Sequence, residues 1–342
     1  MRVNPVLVNR WRGNAIESRH TGAVAIVDTA GRSVLSVGDV QRPIFPRSAI
    51  KFLQAIPFVE SGAIERFGLD DRHVALACAS HNGEPIHVGL ARDWLDRLGL
   101  DSDALECGAE LPLHVATRYE LLGEGRGPER IHHNCSGKHA GMISTALHAG
   151  ESVAGYRLYE SAVQRRWFEV LGDFAGVRPL ELPWGYDGCA VPSLALPLRR
   201  LALAMARFGD LAALSGARRA AVARIHDALA AHPYLVAGKE RVDTAIMERM
   251  APDAFVKVGA EGVFCASFPR AGLGLALKID DGHESAARVA LGAAMSAVEL
   301  IGAQESRAFD EWFAPVATNS RGETVGKTEP ASQWREGQGS SR

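Results

Sequence analysis

The spacing of apolar and polar positions changes along the chain, and each change marks a predicted element. Residues 23–27 and 33–37 are short β-prone runs joined by Asp28-Thr29-Ala30-Gly31-Arg32, where Gly31 can take a positive φ without strain, and the pattern predicts a hairpin. A helix is predicted from Ser48 to about residue 55, with Pro57 limiting its unbroken length. Residues 74–78 form an apolar run that suits either a buried strand or a buried helix, and residues 84–98 read as an amphipathic helix. Helical spacing returns at 139–148, 156–171, 197–208 and 218–231, and His232-Pro233 stops the last of these. Three short β-like runs follow at 254–258, 262–268 and 272–279, separated by Gly and Pro, and then a helix over 284–302.

Strands toward both chain ends with helices between them predict an α/β protein of the α+β type, with one sheet gathered from distant parts of the sequence and covered by helices. Residues 1–322 are expected to form one catalytic unit, as a single domain or as two intimately joined subdomains. Residues 323–342, rich in Gly, Ser, Glu and Gln, are expected to be a disordered tail.

Composition narrows the partners. A chain of 342 residues, 47% hydrophobic, can bury a large core. A net charge of −2 supplies no concentrated basic surface, which argues against nucleic acid and anionic membranes as partners. The opening Met1-Arg2-Val3-Asn4-Pro5 reaches Arg10, Trp11 and Arg12 without the apolar core of a signal peptide, and no run is long enough to span a bilayer. A soluble, cytoplasmic protein is expected. Five widely spaced cysteines, at 78, 107, 135, 189 and 265, suit reduced thiols better than a disulfide framework.

Against this background the six lysines stand out, because one of them, Lys51, follows Ser48 in a Ser-x-x-Lys. Alone that motif is weak, and Ser48 as a helix cap with Lys51 solvated explains it. Two companions follow in order, Ser80-His81-Asn82 as the one Ser-x-Asn and Lys257-Val258-Gly259 as the one Lys-x-Gly. The trio resembles the three elements of serine β-lactamases and penicillin-binding proteins, a layout in which Lys257 would face a helix starting at Ser48. A serine hydroxyl is a poor nucleophile until a base accepts its proton, and a lysine serves when burial and nearby positive charge lower its pKa.

The runs Arg47-Ser48-Ala49-Ile50-Lys51, Cys78-Ala79-Ser80-His81, His133-Asn134-Cys135-Ser136-Gly137-Lys138-His139-Ala140-Gly141-Met142 and Trp184-Gly185-Tyr186-Asp187-Gly188-Cys189 resemble the asparaginase II family, the rhizobial-type L-asparaginases. The likeness extends from about residue 9 to residue 326. It implies hydrolysis of the side-chain amide of L-asparagine to aspartate and ammonia, a fold similar to serine β-lactamases and glutaminases, and a homodimer. It also implies two Ser-Lys pairs, Ser48 with Lys51 and Ser80 with Lys257. Two departures are visible: Phe52 follows the motif lysine where relatives commonly have Pro, and Glu110 stands where His is frequent.

Cys135, Cys189 and a nearby amine or imidazole form a second candidate group, since thiolates are strong soft ligands for zinc. The resemblance implies Cys135, Lys138 and Cys189 as the Zn2+ ligands. His139 competes as a ligand, and two isolated core cysteines are the plainer reading. A zwitterionic substrate needs a cation for its carboxylate and an acceptor for its ammonium, for which Arg47 and Asp187 are candidates, while His81 either orients substrate or packs. Glutamine in place of asparagine, a β-lactam-reactive serine hydrolase, and a non-enzymatic amino-acid sensor are the rival functions.

Overall fold

The computed structural model describes residues 3–332. The described residues divide into two compact units, the first made of residues 3–49, 195–210 and 256–332 and the second of residues 50–194 and 211–255.

The first unit is built on one eight-stranded sheet. Its strands are β1 (Val6–Arg12), β2 (Ala15–Asp28), β3 (Ser33–Val37), β4 (Phe255–Gly259), β5 (Val263–Phe268), β6 (Leu273–Ile279), β7 (Val316–Thr318) and β8 (Thr324–Pro330). Their order is β7-β8-β1-β2-β6-β5-β4, with β3 also on β2. The sheet therefore does gather strands from both chain ends, as the pattern predicts. β2 holds it together, because its first half pairs antiparallel with β1 and its second half with β6. Residues 23–27 of β2 are buried, which explains the unbroken apolar run there.

The helices Leu198–Gly209 and Glu284–Ala297 cover this sheet. Gly274 on β6 shows how closely: a Cβ there would lie 2.1 Å from the carbonyl oxygen of Ala202 and 2.2 Å from the nitrogen of Ala206. Only a residue without a side chain admits that approach. The predicted helix over 284–302 ends at Ala297. The expected tail is a correction: residues 324–330 form β8, paired antiparallel with both β1 and β7. Backbone pairing on two sides orders a segment that Gly326, Lys327 and Pro330 make look irregular. Residues 333–342 of that expectation lie outside the described residues.

The second unit is mainly helical. Residues 74–78, ambiguous in sequence, lie in the helix Asp71–Ala77 and its C-cap. Asp70 decides this by capping: its side chain accepts from the Arg72 nitrogen, while the Asp70 nitrogen donates to His73 Nδ1. The helix predicted from Ser48 is instead a 3-10 turn, Arg47–Ile50, running on into the helix Lys51–Glu60. Pro57 lies inside that helix, where burial of residues 51–58 outweighs the missing hydrogen bond. The helices Pro85–Arg97, Ser136–His148 and Gly216–Ala231 lie within three residues of the predicted segments, whereas the segment predicted over 156–171 is the helix Ala162–Ala175, begun by the Ser161 cap, whose side chain accepts from the Gln164 nitrogen.

Candidate functional site

The first unit carries Arg47, Ser48 and Lys257. Arg47 has φ +54°, a left-handed conformation that costs a non-glycine residue roughly 1–3 kcal/mol. That strained backbone immediately precedes Ser48, which is half-buried in the 3-10 turn. Lys257 is fully buried on β4 and donates from Nζ to the Val258 carbonyl at 3.1 Å. Two residues on, a Cβ at Gly259 would meet the Pro46 carbonyl oxygen at 2.6 Å and the Ala49 Cβ at 3.2 Å. The Lys-x-Gly strand thus abuts the turn that holds Ser48, and its glycine permits the contact.

The second unit carries Lys51, Ser80, His81, Cys135, Lys138, Asp187 and Cys189. The helix Asp71–Ala77 ends at Cys78, and the chain leaves it extended. Ser80 and Asn82 donate their backbone N–H groups to Val236 and Ala237, at 2.9 and 2.8 Å, and His81 donates to Asn134 at 3.2 Å. Gly137 brings a second helix against this exit, since a Cβ there would lie 2.3 Å from the Leu76 carbonyl oxygen. Cys135, just before that helix, is thereby held near Ser80.

Lys51 joins the two. Its Nζ, fully buried, donates to the Ala79 carbonyl at 2.5 Å, to Ser80 Oγ at 3.0 Å and to Cys135 Sγ at 3.0 Å. On the far side Lys138 Nζ donates to Cys189 Sγ at 3.0 Å. A hydrogen bond from Cys189, opposed by burial but aided by the charges of Lys51 and Lys138, holds the Cys135 thiol well below its ordinary pKa. The same bond, with burial and the Cys135 charge, pushes Cys189 well above its own. The two thiols are thus pushed in opposite directions, with Cys135 the more acidic of the pair. Burial would lower Lys138, yet the charges of Cys189, Cys135 and Asp187 outweigh it and raise its pKa.

His81 is wholly internal. Gly83 N–H donates to its Nδ1 at 3.1 Å, which fixes the neutral tautomer and leaves Nε2 to donate to Ser136 Oγ at 2.9 Å. Burial, then the charges of His87 and Lys51, keeps its pKa well below the usual value. Both ring nitrogens are spent on the protein. Asp187 is half-buried at the turn after the strand Trp184–Tyr186, its Oδ1 accepting from Gly188 N–H at 2.7 Å. Glu110, the second departure, accepts from Asn134 Nδ2 at 3.2 Å and so buttresses the residue before Cys135.

Sequence reasoning missed Glu84, a buried carboxylate that accepts from Asn82 Nδ2 at 3.0 Å, from the Lys239 nitrogen at 2.9 Å and from the Tyr234 hydroxyl at 2.5 Å. Its one local signal was its place two residues after the Ser-x-Asn motif. All five cysteines are free and buried. Among the described residues no three His, Cys, Asp or Glu side chains converge as a metal-holding group, so a metal near Cys135 and Cys189 would need the Lys138 amine. No helix among the described residues is long and apolar enough to cross a membrane.

The class is that of an asparaginase-type hydrolase acting on a small molecule. The L-asparaginase II family matches residues 8–330, and the chain belongs to that family. No curated protein matches the chain. Among solved structures it is similar to a beta-lactamase from Mycobacterium bovis, at 16% identity over 85% of this chain and 95% of that one, with a TM-score of 0.42. It is also similar to Mglu in its native form in 4.3 M NaCl, at 13% identity over 77% of this chain and 57% of that one, with a TM-score of 0.39. The fold itself rests on the sheet order and helix packing above.

Proposed function

We propose that the protein is an L-asparagine amidohydrolase that releases aspartate and ammonia through a covalent ester on a serine. What carries the reading is the buried Lys51 amino group 3.0 Å from the Ser80 hydroxyl, in a chain of the L-asparaginase II family. Ser48 attacks the amide carbon as Lys51 accepts its proton, and backbone N–H groups steady the oxyanion. The Lys51–Ser80 hydrogen bond offers that proton a route toward leaving ammonia, with Lys257 as the second lysine that the family resemblance pairs with Ser80. Water then attacks the ester by the reverse relay. Asp187 takes the substrate ammonium in this reading, Arg47 beside the nucleophile is one candidate cation for its carboxylate, and His81, with both nitrogens occupied, orients Ser136.

The same hydrogen bond favours a second reading in which Ser80 is the nucleophile and Lys51 its base. Ammonia release from L-asparagine, with L-glutamine alongside, tests the activity itself; none from either amide would overturn it. Trapping the acyl-enzyme in Ser48→Ala and Ser80→Ala and locating the adduct by mass spectrometry separates the two serines. An adduct on Ser80 alone would remove Ser48 from the nucleophile's role.

Cys135, Lys138 and Cys189 fit a zinc ion, since two sulfurs joined by a hydrogen bond and an amine 3.0 Å from one of them supply three soft-to-borderline donors. When bound, zinc would supply a Lewis acid beside Lys51. The homodimer that the family resemblance implies is checked by light scattering of the purified protein.

A further inference from the structure

We propose that Arg241 receives the α-carboxylate of the amino-acid substrate and so sets specificity, an inference that rests on the amidohydrolase reading. Arg241 Nη1 donates to the Asn82 side-chain oxygen at 3.0 Å and to the Ser80 carbonyl at 3.4 Å. Both acceptors are neutral, and among the described residues Arg241 makes no ion pair. Among the other half-buried arginines of this unit, Arg218 pairs with Glu60 and Asp173 and Arg224 with Glu65 and Asp71, while Arg118 and Arg130 donate to backbone carbonyls. A guanidinium held in place by neutral acceptors, with Nε and Nη2 left over, presents the two-pronged face that suits a carboxylate.

The nearby carboxylate of Glu84 does not fill that need, because its oxygens are already taken by Asn82, Lys239 and Tyr234. Those bonds instead fix the loop that carries Arg241. Gly238 has φ +111° and Glu240 φ +59°, two unusual backbone conformations in three residues. At Gly238 a Cβ would lie 2.3 Å from Glu84 Oε1, so the loop closes over the carboxylate only because that residue is glycine. Strain of this kind, over-determined by its surroundings, is the pattern expected where a side chain must be aimed.

Arg241 also opens onto a cavity of about 500 Å³, lined by Asn82, Leu113, His114, Val115 and Tyr119 among others. The guanidinium thus lies between this space and the Ser80 backbone. The Ser80 carbonyl, 3.4 Å from Arg241 Nη1, ties this guanidinium to the residue whose hydroxyl meets Lys51.

The test compares L-asparagine with 3-aminopropanamide, the same amide without the α-carboxylate, in the wild type, Arg241→Lys and Arg241→Met. The expected result in Arg241→Met is a KM for L-asparagine raised ~10–100-fold with kcat changed by less than about threefold, and an unaltered kcat/KM for the truncated amide. Arg241→Lys should fall between. Equal losses on both amides would mean that Arg241 only supports the fold, and unchanged kinetics would remove it from the site; either overturns the proposal. Should the wild type release no ammonia at all, the amidohydrolase reading falls separately, and calorimetric titration with L-aspartate decides for Arg241. Binding lost in Arg241→Met would support the carboxylate site, and absent or equal binding would overturn it.

Discussion

Lys51 Nζ lies 3.0 Å from Ser80 Oγ, a residue 29 positions further along the chain. The motif spacing ties Lys51 to Ser48 and leaves Ser80 to Lys257. The structure adds a bond between the pairs, because the exit from the helix Asp71–Ala77 presents the Ala79 carbonyl and the Ser80 hydroxyl to the same amino group. With Cys135 as the third, Lys51 Nζ has three polar partners within hydrogen-bond distance. It is the hub of the buried polar cluster whichever serine is acylated.

Replacing that hub should therefore be costly under both nucleophile assignments. Lys51→Met removes the proton acceptor while filling the same buried space, and kcat for L-asparagine should fall roughly 10²–10⁴-fold, the usual span for a lost general base. Cys135 also loses the Lys51 charge that helps lower its pKa, so that pKa should rise, which the pH dependence of alkylation can report. A variant retaining more than a tenth of wild-type kcat would sink the role given to Lys51.

The thiol pair predicts how a metal would enter. Without metal, the raised pKa values of Cys189 and Lys138 keep both protonated. Zinc held by all three must displace at least those two protons. Titrating metal-free protein with zinc in weak buffer should release at least about two protons per ion bound, and Cys189→Ser should weaken binding at least ~10-fold. Binding with no proton release, or equally tight binding in the serine variant, would point to other ligands.

How far these features were legible in sequence differs by feature. The hairpin at 23–27 and 33–37 was plain because one strand is buried on both faces and the turn contains Gly31. β1 and β8 were not, because Arg10, Arg12, Lys327 and Glu329 stand among their few apolar residues and neither strand alternates cleanly. At the site, Ser80 and Cys135 lie in conspicuous runs, and both are within hydrogen-bond distance of Lys51. The Arg241 contact had no local signal. It depends on residues 80–82 running beside 236–237, a pairing that spans more than 150 positions and exists only once the unit has folded.

Stability should fall in mild acid because of buried histidines outside the cluster. Burial lowers the pKa of His73 despite its partner Asp70, and likewise that of His87, both fully buried. Each folded value lies below the unfolded 6.5, so between the two the unfolded chain binds more protons. The stability present above pH 6.5 is thus lost as pH drops, at up to about 1.4 kcal/mol per pH unit for each histidine. Urea midpoints measured at pH 7.5 and pH 5.5 check this, and an equal or higher midpoint at pH 5.5 would contradict it.

Two glycines of one helix should respond oppositely to the same substitution. A Cβ at Gly137 would sit 2.3 Å from the Leu76 carbonyl oxygen, a backbone atom that cannot move without shifting the helix end from which Ser80 departs. At Gly141, one turn on, the nearest atoms are the Ala77 Cβ and the Phe58 ring at 3.5 Å, an ordinary contact. Gly137→Ala should therefore destabilise by about 1–3 kcal/mol through overpacking, and should lower kcat as Cys135 and Ser80 are pushed apart. Gly141→Ala gains helix propensity without a clash and should be neutral or stabilising by up to about 1 kcal/mol, with kcat unchanged. Urea unfolding and ammonia release on both variants decide the matter. A Gly137→Ala protein with wild-type stability would show that the two helices do not meet this closely, and the account of how Cys135 reaches Lys51 would fall with it.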